Sequence, residues 1–84
     1  MTKQDKVNIL EQLNEKQMEI NHIERMLGQL YDAEERDQER IDNLEEAGHK
    51  AIQFRNGMIY AMNCLGAFVE YKAGTMGIEW KLAR

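Results

Sequence analysis

Apolar residues return along this chain every three or four positions, on one seven-residue repeat that runs from Leu13 to Val69. Its first apolar position holds Leu13, Ile20, Leu27, Ile41, Met62 and Val69, and its second holds Ile9, Ile23, Leu30, Leu44, Ala51, Met58 and Leu65. That period belongs to helices that associate along an apolar seam. Thr2 and Asp5 have the spacing of a capping box just ahead of Val7, so the first helix is expected to begin there. From Asp5 to Ala47 the filler is mostly Glu, Gln, Lys, Arg, Leu and Ala, strong helix formers that predict one long helix. Asp32 to Arg40 is polar apart from Ala33, which weakens the seam at Glu34 and Asp37. A turn there would lack its usual Gly, Pro or Asn, so a continuous helix is preferred to a hairpin.

Gly48 is the first break, because Glu-Glu-Ala-Gly-His-Lys reads as a helix end. The heptad phase nevertheless continues across it, leaving kink and turn both open. A second helix is predicted from about His49 to Tyr71, ending before Gly74. Its flanking positions, Ile52, Phe54, Ile59, Ala61, Gly66 and Phe68, are apolar or small, a face wider than a two-helix seam covers. After Gly74 the period changes: Met76, Ile78, Trp80 and Leu82 alternate with Gly77, Glu79 and Lys81, as in a strand. A short helix placing Ile78 and Leu82 four apart is the competing reading.

These signals predict an all-α fold in one domain. An acidic coiled-coil helix spans 1–48, an apolar bundle-forming helix 49–73, and a tail with a possible lone strand 74–84. At 84 residues a chain buries a limited core, so homo-oligomerisation is expected to supply more. Leu13, Ile20, Ile23, Leu27, Leu30, Ile41, Leu44, Met58, Met62, Leu65 and Val69 form the expected interface.

Composition sharpens this picture in two ways. The net charge of −4 conceals a balance of −7 over residues 1–48 and +3 over residues 49–84. Phe54, Tyr60, Phe68, Tyr71 and Trp80 also lie in the second half, so an acidic stalk leads to a basic, aromatic head. No secretory signal and no membrane-spanning run is read from the chain, which places the protein in the cytoplasm. The lone Cys64 suits a reducing compartment and reads as a buried small side chain.

Catalytic fingerprints such as a phosphate loop, a Cys-x-x-Cys pair or a zinc-protease helix are absent, which speaks against an enzyme. Glu19-x-x-His22 and Glu46-x-x-His49 have the ligand spacing of di-iron bundles, but both histidines lie off the apolar face. No metal and no cofactor is therefore expected. Arg55 falls on the seam, where a cation needs an anionic partner. With His49, Lys50 and Phe54 it suggests an anion site at a subunit junction, guanidinium groups holding phosphate bidentately. Tyr71, Lys72, Trp80, Lys81 and Arg84 form a second basic-aromatic set. Duplex nucleic acid is disfavoured by the acidic stalk.

In size, acidity and helical build the chain resembles the small accessory or inhibitor proteins of bacteriophages, some of which trap nucleotide signals at subunit junctions. The resemblance is one of general form and implies a non-enzymatic homo-oligomer that blocks a partner protein or sequesters a small phosphorylated ligand. A purely structural scaffold is the alternative.

Overall fold

Thr2 caps the first helix as its spacing predicts: its hydroxyl accepts from the Asp5 backbone N–H at 3.1 Å, and the Asp5 carboxylate accepts from the Thr2 N–H at 3.3 Å. The computed structural model describes residues 2–74 and 77–83. Two helices, α1 (Lys3–Asp32) and α2 (Gln38–Cys64), precede two strands, β1 (Val69–Gly74) and β2 (Gly77–Leu82). The strands pair antiparallel, Val69 opposite Leu82 through Gly74 opposite Gly77. The fold is mostly helical, and the small sheet corrects the all-α expectation.

The chain reverses at residues 33–37, where a continuous helix was preferred. The polar run from Asp32 has no apolar side chain larger than the exposed Ala33 to hold against a neighbour, and Asp37 provides the restart. Its carboxylate accepts from the Arg40 backbone N–H at 3.2 Å, an N-cap for α2. Arg36 closes the other end by donating to the Tyr31 carbonyl at 3.2 Å, one of the acceptors that a helix C-terminus leaves open. No Gly, Pro or Asn is needed when Asp and Arg do both tasks.

Gly48 does not end a helix, because α2 runs through it. It is buried within α2, and a Cβ there would stand 3.3 Å from the Ile23 Cγ2 of the antiparallel α1, so glycine serves close helix approach. The element boundaries expected at residues 48 and 49 accordingly move to 33–37.

The second helix ends at Cys64, short of Tyr71. Gly66, at φ +81°, donates to the Asn63 carbonyl at 3.0 Å, and Ala67 donates to the Met62 carbonyl at 2.8 Å. These two bonds make a Schellman motif, and its apolar contact is also present because Met62 and Ala67 share the core. The released segment then becomes β1, the mate that the strand at Gly77–Leu82 was expected to lack. Met76, part of that expected strand, lies outside the described residues.

The apolar stripe is used within one chain. Leu13, Ile20, Ile23, Ile41 and Met62, expected at an interface between chains, are buried between α1 and α2 or under the hairpin. Leu27, Leu30, Leu44, Met58 and Val69 are partly buried, while Leu65 stands 62% exposed at the helix end. Folding back supplies the partner helix that a straight rod would need from another subunit.

Gly57 provides a first test. Beyond its own helix backbone and chain neighbours, no atom of the described residues lies within 4 Å of the place a Cβ would take, so Gly57→Ala should raise the unfolding free energy by about 0.5–1 kcal/mol through helix propensity. A lower urea midpoint would instead reveal a surface packed on that backbone.

Candidate functional site

Antiparallel pairing divides side chains between two faces of the hairpin, and this separates the residues expected to converge. Val69, Trp80 and Leu82 turn toward the helices and pack on Leu13, Met62 and Ala67. Tyr71 shares their face, its ring 5.0 Å from that of Trp80. Lys72 and Lys81 lie on the opposite face, where each meets a carboxylate: Lys72 Nζ is 3.2 Å from Glu70 and Lys81 Nζ 3.9 Å from Glu79. The second basic-aromatic set is therefore two surfaces, one aromatic and one charge-balanced. Arg84, also assigned to it, lies outside the described residues.

The set around Arg55 is divided as well. His49 borders a groove of about 380 Å³ with Ile20, Ile23, Leu27 and Ile52, whereas Lys50 and Phe54 line another groove with Lys16 and Glu19. Lys50 is 3.1 Å from Glu46, and the Phe54 ring lies under Lys16 Nζ at 4.9 Å. In the first groove Tyr31 donates to Glu45 at 2.5 Å. That hydrogen bond, more than burial, raises the phenol above its usual value of 10.0.

What the fold assembles instead is a polar junction of α1, α2 and β2. Asn14 grips the Trp80 backbone twice, its Nδ2 donating to the carbonyl at 2.9 Å and its Oδ1 accepting from the N–H at 2.7 Å. One turn on, Gln17 is 7% exposed. Its Oε1 accepts from the Trp80 indole N–H at 3.0 Å and from the Arg55 guanidinium at 2.8 Å, while its Nε2 donates to Asn21 at 2.9 Å. Arg55 also donates to Asn56 at 3.1 and 3.3 Å. No carboxylate pairs with it among the described residues, so this partly buried cation is held by neutral amides.

Asn14 and Gln17 escaped the sequence reading, although a signal existed: Gln17 falls between Leu13 and Ile20 on the buried stripe, where a polar residue implies a partner. Beside the junction Asn14, Gln17, Met18 and Asn21 face Gly77, Ile78 and Glu79 across a groove of about 510 Å³.

Chain reversal does bring the Glu-x-x-His motifs onto neighbouring helices. Glu19, His22, Glu46 and His49 are all exposed, however, and no three His, Cys, Asp or Glu side chains gather as a metal site among the described residues. Cys64, expected to be buried, is exposed at the end of α2. Among the described residues no helix is long and apolar enough to cross a membrane. No protein-family model, curated protein or solved structure matches the chain.

Proposed function

We propose that the protein is a non-enzymatic, self-associating binding protein that blocks or sequesters a partner protein through the exposed apolar surface of its C-terminal half. One observation carries this reading. Among the described residues eight large hydrophobic side chains are left exposed, and six of them lie between residues 54 and 78: Phe54, Tyr60, Leu65, Phe68, Tyr71 and Ile78. Single exposed apolar residues are ordinary, and their concentration in one half of a small chain supports an interaction surface there. The molecule's extents of 50 × 25 × 15 Å support it, since 15 Å is little more than one helix layer and leaves broad faces uncovered.

The test compares immobilised wild type with a Tyr60→Ser, Leu65→Ser, Phe68→Ser variant of unchanged far-UV circular dichroism. Wild type should retain one dominant protein from lysate, and the variant should bind it at least about tenfold more weakly. Equal retention by both contradicts the reading, and retention of nothing favours the scaffold alternative.

A small phosphorylated ligand is the second reading, favoured by Arg55, which is partly buried beside Trp80 and has no carboxylate partner among the described residues. Calorimetric titration of a nucleoside monophosphate would then give saturable heat that Arg55→Gln removes. Absence of heat with wild type excludes that ligand.

A further inference from the structure

The way Asn14 holds Trp80 fixes which backbone groups of the hairpin point outward. Both polar groups of Trp80 go to Asn14, away from β1, so Tyr71 and Trp80 are a non-hydrogen-bonded pair. Ala83 donating to the Phe68 carbonyl at 2.8 Å fits the same alternation. In an antiparallel ladder every second residue of an edge strand turns its N–H and C=O outward. On β1 these are Val69, Tyr71 and Ala73, and no hydrogen bond among the described residues uses their groups. β1 is thus an open edge with no proline or bulge along it, in a hairpin that has only two strands.

We propose that β1 pairs antiparallel with β1 of a second copy about a two-fold axis at Tyr71, forming a four-stranded sheet in the order β2, β1, β1′, β2′. Charge complementarity selects this occupant and this register. Outward-facing residues must meet outward-facing residues, so two-fold pairings over this strand centre on residue 70, 71 or 72. Centring on residue 70 sets Glu70 against its own copy, and centring on residue 72 does the same to Lys72. Centring on Tyr71 sets Glu70 opposite the partner's Lys72, and Lys72 opposite the partner's Glu70.

Opposite charges facing one another across strands stabilise pairing, and like charges oppose it. Because Glu70 already faces Lys81 and Lys72 faces Glu79 within the hairpin, the solvent face of the joined sheet alternates in sign along both rungs. Hydrogen bonds would run between the two Tyr71 residues, and between each Val69 and the partner's Ala73.

This inference specifies how the self-association in the proposed function takes place, and its test is separate from partner capture. Sedimentation of the full chain at about 100 µM should show a dimer. Lys72→Glu and Glu70→Lys should each raise the dimer dissociation constant at least about tenfold. An equimolar mixture of these two variants should recover dimer, because each then offers the other an opposite charge at both contacts. Ala73→Pro removes an N–H that the hairpin itself does not use, as proline can on an edge strand, and should give monomer with unchanged circular dichroism.

A wild-type monomer at this concentration overturns the inference together with self-association. An assembly indifferent to Ala73→Pro, or charge variants whose mixture stays monomeric, overturns the inference and leaves self-association through another surface standing.

Discussion

Leu13→Ala is expected to lower the unfolding free energy by about 3 kcal/mol, the largest effect of any single truncation in this chain. Leu13 is 0% exposed and lies where three parts of the molecule meet. Met62 of α2 and Ala67 of the connection are its buried neighbours, and Ile9, Met58, Val69, Trp80 and Leu82 pack around them. Losing its methyl groups removes transfer free energy and leaves a cavity that cannot collapse without shifting both the helix pair and the hairpin. Only seven hydrophobic residues among those described are buried, and a domain of this size has a total stability of roughly 5–10 kcal/mol. The urea midpoint should therefore fall steeply with an unchanged slope. A loss under about 1 kcal/mol would mean that Leu13 is not enclosed as described.

Asn14→Ala is expected to release the hairpin from α1 at a cost of about 2 kcal/mol. A carboxamide is suited to this position because it donates and accepts at once, filling the place of a third strand beside Trp80. Truncation leaves the Trp80 N–H and carbonyl without partners in a partly buried setting. A hairpin of two strands has little stability of its own. Trp80 fluorescence should shift to the red, and amide exchange should speed up in β1 and β2 while α1 and α2 stay protected. Asn14→Asp, which keeps the acceptor and loses the donor, should fall between alanine and wild type. Unchanged exchange in the strands would show that the hairpin is held by other contacts.

The helices and the buried stripe were legible because local chemistry repeats along the chain. Thr2 and Asp5 cap α1 where their spacing says, and Leu13, Ile20, Ile23, Ile41 and Met62 are buried as their period requires. Heptad phase, however, is silent about whether the facing helix belongs to the same chain, and that is where the straight rod went astray. The reversal rests on Asp37 capping a backbone N–H and Arg36 capping a carbonyl, two side-chain bonds without a glycine or proline to announce them.

Gly48 misled for the opposite reason. Its composition signals a terminus, while its purpose is set by Ile23, which approaches it from another helix. At the C-terminal end, alternation marked the strand at Gly77–Leu82, but its mate was hidden inside an apolar helix pattern that Gly66 interrupts. The candidate site was least legible. Lys72 and Lys81 looked basic in sequence, and pairing across the hairpin places Glu79 and Glu70 opposite them. The Asn14, Gln17 and Arg55 junction joins residues far apart in the chain and has no local signature.

The fold, the polar junction and the open sheet edge all depend on the chain folding back on itself between α1 and α2. Spin labels on Glu19→Cys and Lys50→Cys, in a Cys64→Ser background and diluted with unlabelled protein, measure this directly. Both positions line one groove across the helix pair, so an intrachain distance below about 25 Å is predicted from helix axes roughly 10 Å apart plus the reach of the labels. A distance near 46 Å, the rise of a continuous helix over about 31 residues, would contradict the fold and everything built on it.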